Sequence, residues 1–182
     1  MDKQTIRHRI KTHKSLLDEN EKKNAAQAVF ETLENTAAFV MANHILVYHS
    51  LPDELPTIAF IDKWSSLKTF YLPRVNGIDL DILPYDRSRL SLGAFHIEEP
   101  QGDDICDIEN IDMIVVPGVA YDRHGNRVGR GKGYYDRLLA RSKAIKVGVA
   151  YDFQLVDDID AEPHDIKVDF IITDNGMYRP VY

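Results

Sequence analysis

With 182 residues, of which 44% are hydrophobic, the chain has the length and composition of one soluble domain with a continuous core. Its formal net charge of -7 argues against a protein that coats nucleic acid or an anionic membrane surface. The charged N-terminus has no apolar signal segment, and no run approaches the roughly 20 apolar residues that span a bilayer. We therefore expect a single domain over residues 1–182, monomeric and cytoplasmic, with no nucleic acid or membrane partner.

Two helices are predicted at the start of the chain. Over the first twenty residues, Ile6, Ile10 and Leu17 share one face. From residue 26 to residue 37, apolar side chains again recur at three-and-four spacing, as is typical of an amphipathic helix.

After residue 43 the pattern changes to short, nearly continuous apolar runs. Such runs are typical of parallel strands that are covered on both faces. The predicted strands are residues 45–48, 69–72, 113–116, 146–150 and 169–172. Helical patterns at 57–64 and 134–141 lie between them, so the predicted fold is α/β, with three layers (helix, sheet, helix) and a mostly parallel sheet.

The pattern is weaker between residues 75 and 109. Residues 80–83 and 90–97 fit either a hairpin or loose connections rich in Asp, Pro and Gly. We predict a small antiparallel appendage here. Cys106, the only cysteine, is expected to be a small buried apolar group, and an internal disulfide or a cysteine-based zinc site is excluded.

The stretch GRGKGYYDR, residues 129–137, combines three glycines with three cations and a carboxylate. The segment 120–133, which follows the strand 113–116 and contains these glycines, is expected to cross the carboxyl edge of the sheet, where α/β proteins bind ligands. Glycines let backbone N–H groups approach a phosphate, and Arg123, Arg127, Arg130 and Lys132 would add positive charge. The stretch matches neither a Walker A loop nor a dinucleotide fingerprint, and a solvated glycine-rich turn remains the alternative.

Two carboxylates are candidates for binding Mg²⁺ beside this stretch. Asp136 falls in the first turn of the predicted helix, and Asp165 precedes the last predicted strand, so both belong to the same sheet edge. Taken alone, Asp136 is better explained as a carboxylate that favours the helix dipole or pairs with Arg137. Tyr134 and Tyr135 are expected to be core or rim aromatics, or to flank a flat ring.

Residues 116–122 (VPGVAYD), Gly125 and residues 127–137 (RVGRGKGYYDR) resemble the signature of the 5-formyltetrahydrofolate cyclo-ligases, also called 5,10-methenyltetrahydrofolate synthetases. Weaker resemblances follow in the family's order. They are residues 3–7 (KQTIR), 50–54 with Thr57, 72–74, Gly93 with 97–100, Gln154, 164–165 and 172–174.

The resemblance implies an enzyme that converts 5-formyltetrahydrofolate to 5,10-methenyltetrahydrofolate with ATP as co-substrate and Mg²⁺ as cofactor. The γ-phosphate would pass to the formyl oxygen, N10 would attack the activated carbon, and ADP and phosphate would be released. The family fold is an α/β sheet of the kind found in ribose-phosphate isomerases and CoA transferases.

The resemblance also implies roles for individual residues. The implied ATP contacts are Lys3, Arg7, Arg127, Val128, Gly129, Arg130, Gly131, Lys132, Gly133, Tyr134 and Tyr135. The implied substrate contacts are His49, Glu54, Arg130, Gly131, Lys132, Gly133 and Tyr134, the implied catalytic residues are Arg127, Arg130, Lys132 and Tyr134, and the implied metal ligands are Asp136 and Asp165. Without the resemblance, Lys3 and Arg7 are interpreted as solvated cations and Glu54 as a turn carboxylate.

Two other functions are compatible with such a sheet. A sugar-phosphate isomerase or CoA-type transferase would need a general base or a glutamate nucleophile but no ATP. A nucleotide or folate sensor would bind its ligand and release it unchanged.

Overall fold

The computed structural model describes residues 1–93 and 98–181. Its helices are α1 (Lys3–Lys14), α2 (Glu19–Glu34), α3 (Ala37–Met41), α4 (Ile58–Trp64) and α5 (Tyr134–Ala140). Its strands are β1 (His44–Val47), β2 (Thr69–Asn76), β3 (Asp79–Pro84), β4 (Leu90–Leu92), β5 (Glu98–Pro100), β6 (Met113–Val116), β7 (Ala120–Asp122), β8 (Arg127–Val128), β9 (Ile145–Val149), β10 (Leu155–Val156), β11 (Phe170–Thr173) and β12 (Gly176–Tyr178). Within these ranges, no helix combines the length and apolar composition needed to cross a membrane.

The first helices follow the predicted stripes but end earlier than expected. α1 ends before Leu17, which packs against the core from the following turn. The stripe predicted from 26 to 37 is divided, because Asn35 ends α2 and Thr36 begins a separate short helix, α3. The Thr36 hydroxyl accepts a hydrogen bond from the Phe39 N–H at 3.2 Å, which is typical of a helix start.

The main sheet has seven strands in the order β12-β11-β9-β6-β1-β2-β3. Its five inner strands are parallel, and the outer strands β12 and β3 are antiparallel to their neighbours. At the centre, Ile45 of β1 pairs with Met113 on one side and Phe70 on the other. The predicted, mostly parallel sheet is therefore confirmed.

Helices cover both faces of this sheet, as the continuous apolar runs predicted. In β1, Ile45 and Val47 contribute to a core with α2, α3 and α4, whereas Leu46 contributes to a second core with α5. The two cores leave each inner strand buried on both sides, which requires apolar side chains at successive positions. The three-layer α/β/α arrangement is thus confirmed.

The region between residues 75 and 109 differs from the prediction in part. β2 continues to Asn76 and returns as β3, so this hairpin belongs to the main sheet. The small antiparallel sheet is formed instead by β4 and β5. Of the predicted segment 90–97, residues 94–97 lie outside the described residues. Cys106 is half-buried rather than fully buried, and its Sγ donates to the Asp107 carbonyl at 3.3 Å.

A second sheet of three short strands, in the order β10-β7-β8, was not predicted. Ile6 and Ile10 of α1 pack on it against Ala120, Val128 and Ile159. Because α1 is fixed to this sheet, its exposed face lies beside the chain that follows β8. That chain is the glycine-rich stretch, so the small sheet sets the position of both.

The β7–β8 hairpin is held by a buried carboxylate. Asp122 Oδ1 accepts the N–H groups of His124 and Asn126 at 2.9 and 3.0 Å. Its Oδ2 accepts the Asn126 side-chain amide and the Ile159 N–H, both at 3.0 Å. These bonds stabilise a turn whose strands are too short to fix it on their own.

Candidate active site

A cavity of about 980 Å³ opens beyond the carboxyl ends of β1 and β6. Its walls come from the first half of α1, residues 129–136 and residues 160–165. The predicted site residues that line it are Lys3, Arg7, His49, Glu54, Arg127, Gly129, Arg130, Gly131, Lys132, Gly133, Tyr134, Tyr135, Asp136 and Asp165. Val128 differs from them, because its side chain is fully buried against Ile6 and Ile10.

The glycine loop, residues 129–133, presents open backbone to this cavity. Gly131 (φ +105°) and Gly133 (φ +75°) adopt left-handed conformations that other residues rarely adopt. A Cβ built on Gly131 would come no closer than 3.8 Å to the atoms described, at the Arg7 guanidinium. An anion can therefore approach the backbone at this point.

Arg127 and Asp136 form a largely buried pair on the cavity wall. Arg127 Nη1 donates to the Pro117 carbonyl at 2.9 Å, and its Nη2 lies 3.6 Å from Asp136 Oδ1. The two side chains are 4% and 21% exposed. Arg127 Nε and Asp136 Oδ1 are buried without a hydrogen-bond partner among residues 1–93 and 98–181. Such groups are costly to bury, so the pair suits a polar ligand.

Arg137 is not the partner of Asp136 that one interpretation of the sequence suggested. Its Nε donates to the Ile78 carbonyl at 2.8 Å, and its Nη2 donates to the Lys132 carbonyl at 2.9 Å. Arg137 therefore ties the glycine loop to the β2–β3 turn through these two carbonyls.

Arg130 links the glycine loop to the loop that follows β1. Its Nη2 lies 2.7 Å from Asp53 Oδ1 and 3.7 Å from Glu54 Oε2. Glu54 Oε1 accepts the Leu51 N–H at 2.9 Å, so this carboxylate also closes its turn. Burial raises the pKa of Glu54, although the Leu51 hydrogen bond and the charges of Arg130 and Lys14 act in the opposite direction.

Lys3 was predicted to contact ATP, and Asp165 was predicted to bind magnesium. In the structure, the two side chains form an ion pair with each other. Lys3 Nζ donates to Asp165 Oδ2 at 2.6 Å, and the same oxygen accepts the Glu162 N–H at 2.9 Å. Burial alone would lower the pKa of Lys3, but the hydrogen bond and charge of Asp165 outweigh it and raise that pKa. Burial alone would raise the pKa of Asp165, but the Glu162 N–H and Lys3 lower it. Lys3 is therefore not a solvated cation.

We expect Asp165→Asn to lower the free energy of unfolding by about 1–2 kcal/mol at neutral pH. Because the folded state lowers the pKa of Asp165, its ionised form stabilises the protein above the ordinary aspartate pKa. This contribution is lost as the pH falls through the lowered pKa of the folded state. Urea unfolding of both proteins over a pH series measures the difference, which should shrink below about pH 4.

Asp157→Asn is the matched control, because Asp157 is an exposed carboxylate of the same segment. Its effect should be small at every pH. A loss in Asp165→Asn that stays constant into the acid range would contradict the ion pair as its source.

Arg7 and His49 also have defined surroundings. Arg7 Nε donates to the Gly129 carbonyl at 2.8 Å, so Arg7 is not a solvated cation either. His49 Nε2 lies 3.4 Å from Glu98 Oε2, while its buried Nδ1 has no hydrogen-bond partner within the described ranges. Arg123, counted among the loop cations from the sequence, is exposed and does not line the cavity.

The two adjacent tyrosines stack against arginines. The Arg127 guanidinium lies 5.7 Å from the ring centroid of Tyr135, and that of Arg137 lies 5.6 Å from the ring of Tyr134. Burial strongly raises the pKa of Tyr135, so its phenol stays neutral. Both aromatics thus form part of the wall and keep two cations in place.

Asp136 fits a magnesium ligand more directly than Asp165 does. Among the residues described, no three His, Cys, Asp or Glu side chains are assembled around a metal position. Mg²⁺ commonly takes one or two carboxylates and completes its shell with substrate phosphates and water. Asp136 Oδ1 accepts no hydrogen bond from the described residues and lies 3.6 Å from Arg127 Nη2, whereas Asp165 Oδ2 already accepts two hydrogen bonds. The site therefore fits Mg²⁺ held by Asp136 and phosphate oxygens, with Asp165 available once Lys3 leaves it.

Several lining residues had no role assigned from the sequence. They are Tyr48, Val75, Leu80, Glu98, Glu99, Pro117, Gly118 and Glu162. Glu98 and Glu99 stand in a segment that the family resemblance included, which was the available signal. Val75 and Leu80 come from the β2–β3 hairpin. Local sequence patterns did not indicate that this hairpin belongs to the main sheet.

Comparisons with known proteins identify the family of the chain. A model of the 5-formyltetrahydrofolate cyclo-ligase family matches residues 1–174. The 5-formyltetrahydrofolate cyclo-ligase of Escherichia coli strain K12 is 33% identical over 150 residues, covering 77% of this chain and 82% of that protein. The Haemophilus influenzae protein of the same name is 30% identical over 176 residues, covering 91% and 94%.

The chain is also similar to solved structures of 5,10-methenyltetrahydrofolate synthetases. The NMR structure of Aquifex aeolicus 5,10-methenyltetrahydrofolate synthetase has a TM-score of 0.89 and 33% identity, covering 97% of this chain and 92% of that one. A Mycoplasma pneumoniae 5,10-methenyltetrahydrofolate synthetase has a TM-score of 0.79 and 25% identity, with coverages of 96% and 99%. The chain therefore belongs to the 5-formyltetrahydrofolate cyclo-ligase family of enzymes.

Proposed function

We propose that the protein converts 5-formyltetrahydrofolate to 5,10-methenyltetrahydrofolate in a reaction that consumes ATP, requires Mg²⁺ and releases ADP and phosphate. The observation that carries the proposal is one cavity that joins a cationic glycine loop to the carboxylates of Asp136 and Glu54. Its volume of about 980 Å³ lies at the upper end for small-molecule sites, as two substrates require.

The chemistry explains why such a site needs no protein nucleophile. A formamide carbon is a poor electrophile, and its oxygen is a poor leaving group. Attack of the formyl oxygen on the γ-phosphorus breaks the bond to ADP and gives an imidate phosphate. N10 then donates its lone pair to the activated carbon, loses its proton, and phosphate departs with the C–O electron pair.

At the phosphate end, the chain's contribution is alignment and charge. Arg127, held by the Pro117 carbonyl, meets the transferring group in a fixed orientation. Arg130 and Lys132 would reach it from the glycine loop, Tyr134 from the start of α5, and Lys3 and Arg7 from α1. Mg²⁺, when bound at Asp136 and Asp165, would neutralise charge on the phosphate oxygens.

At the folate end, the walls suit a flat ring with N–H donors. Glu54 is the natural acceptor, because its Oε2 reaches the cavity while its Oε1 is held by the Leu51 N–H. His49 offers a second polar contact through its Nδ1, which has no hydrogen-bond partner among residues 1–93 and 98–181. Val75 and Leu80 supply an apolar surface on which the ring can pack.

The test is turnover of the purified protein. With 5-formyltetrahydrofolate, ATP and Mg²⁺ present, the near-ultraviolet absorbance of the methenyl product should rise in step with ADP release. Omission of ATP or Mg²⁺ should abolish both signals. Cys106→Ser is expected to retain nearly full turnover, because Cys106 does not line the cavity.

The alternatives give different results in the same assay. A non-catalytic sensor would bind both ligands and yield neither methenyl product nor ADP. An isomerase or CoA-type transferase would act without ATP on a different substrate. Either outcome would show that the protein does not catalyse the proposed reaction.

A further inference from the structure

Lys14 occupies a position where α1 would be expected to carry an apolar side chain. The buried residues of this helix are Ile6, Ile10 and Lys14, spaced four residues apart on one face. Lys14 is 8% exposed, and its ammonium makes no hydrogen bond to the residues described. A lysine side chain buried to this extent without such partners costs stability, so its charge calls for an explanation other than packing.

Lys14 lies next to Glu54. A small cavity of about 10 Å³ is lined by both residues, together with Tyr48 and Gln154. Glu54 also lines the large cavity, so it borders both the space beside Lys14 and the substrate space. Lys14 is 8% exposed and the Glu54 side chain 12%, so solvent screens the two charges only weakly.

Two cations and two carboxylates interact here: Lys14, Arg130, Asp53 and Glu54. Arg130 pairs with Asp53 and Glu54 across the cavity, and its side chain is 47% exposed. The proposed function commits Arg130 to the phosphates of ATP. When its guanidinium turns to them, Glu54, only 12% exposed, loses its nearest cation. A buried carboxylate that loses its counter-charge tends to take up a proton.

We propose that Lys14 is a positioning residue for the folate end of the site, the fixed counter-charge that keeps Glu54 ionised after Arg130 engages ATP. An ionised carboxylate accepts hydrogen bonds from N–H groups of the substrate ring, whereas a protonated one presents a competing donor. Lys14 is suited to this role because α1 holds it and it does not reach the large cavity. This inference rests on the proposed function.

The charges that face Glu54 determine the sign of the effect. Lys14 and Arg130 lower its pKa, and Asp53 raises it. Three phenols also interact with it, and they stay neutral because burial raises their pKa: Tyr48, Tyr121 and Tyr135. Burial and the charge of Arg130 lower the pKa of Lys14 itself, while Asp53 and Glu54 act to raise it. Removing Lys14 therefore moves the Glu54 pKa upwards.

The test compares Lys14→Met and Lys14→Gln with the parent enzyme. The acidic limb of kcat/KM for 5-formyltetrahydrofolate should move to higher pH in both variants. Near pH 6 the KM for this substrate should rise on the order of tenfold and approach the parent value by about pH 9. The KM for ATP should not change. A purely structural role would alter activity equally at all pH values.

Lys11→Met is the matched control, because Lys11 is an exposed lysine of the same helix. It should leave the profile unchanged. If the acidic limb of both Lys14 variants coincides with that of the parent enzyme, the proposal is wrong. Two variants with different side chains guard against a folding defect in one of them.

A second measurement separates this inference from the proposed function. With ¹³C-labelled glutamate, the Glu54 carboxyl resonance can be titrated in the presence of Mg²⁺ and a non-hydrolysable ATP analogue, with Glu54→Gln for assignment. Glu54 should titrate at higher pH in Lys14→Met than in the parent protein. Absence of turnover in the parent enzyme would remove the proposed function, whereas coincident titrations would remove the role of Lys14 alone.

Discussion

The Arg127→Ala variant is expected to lose about 10³-fold in kcat while remaining folded. The Arg127 side chain is 4% exposed, and its Nη1 is held by the Pro117 carbonyl at 2.9 Å. The guanidinium is therefore ordered before a phosphoryl group arrives, so its charge acts without an entropic cost of ordering. Lysine keeps the charge but not the planar fork, so Arg127→Lys should recover only part of the loss.

Rates are measured at saturating ATP and folate, beside thermal unfolding of each variant. Arg123→Ala is the matched control, since Arg123 is an exposed arginine of the neighbouring turn that does not line the cavity. It should turn over like the parent enzyme. An Arg127→Ala protein that is folded and fully active would show that the phosphoryl group is stabilised elsewhere.

The inner strands of the sheet could be predicted because their signal is local. Ile45 and Val47 pack into one core and Leu46 into the other. A strand buried on both faces needs consecutive apolar residues, and that run is visible in the sequence. The position of the site beyond the strand ends followed from the same reasoning. By contrast, the β7–β8 hairpin has strands too short for a periodic pattern, and buried Asp122 stabilises it through Asn126 and Ile159.

The partners of the charged side chains could not be predicted from local pattern. Lys3 and Asp165 are separated by 162 residues in the chain, and their contact depends on how α1 packs on the small sheet. Arg130 and Asp53 likewise meet across 77 residues. The family resemblance implied ligand contacts for Lys3, Arg130 and Asp165 but gave no information on these ion pairs.

Lys14 shows a different limit of sequence reasoning. The stripe Ile6, Ile10 and Leu17 predicted which face of α1 is buried, and the structure has Lys14 rather than Leu17 as its third member. Hydrophobic periodicity cannot indicate a buried cation. The proposed role of Lys14 comes from its acidic neighbours Asp53 and Glu54, which only the folded structure brings together with it.

Asp136→Asn is expected to reduce kcat by at least about 10²-fold and to raise the Mg²⁺ concentration needed for half-maximal rate. The amide keeps the size of the side chain but removes the charge and half of its acceptor capacity. Asp136 Oδ1 is buried without a hydrogen-bond partner in the described ranges, so the parent protein offers this atom to a cation or donor. Activity titrated with Mg²⁺, and calorimetry with Mg²⁺ and a non-hydrolysable ATP analogue, measure the two effects.

The Asp136→Asn variant distinguishes two roles for Asp136: binding Mg²⁺, or only orienting the Arg127 guanidinium. Asp136 also lies 3.6 Å from Arg127, so its loss changes the setting of that guanidinium. If Asp136 only orients Arg127, the variant should lose turnover with an unchanged Mg²⁺ requirement, as Arg127→Ala should. If it binds the ion, the Mg²⁺ requirement rises in Asp136→Asn and not in Arg127→Ala or in the control Asp157→Asn, whose carboxylate is exposed. An unchanged Mg²⁺ titration in a folded Asp136→Asn protein would exclude Asp136 as a metal ligand and leave it as the residue that holds Arg127.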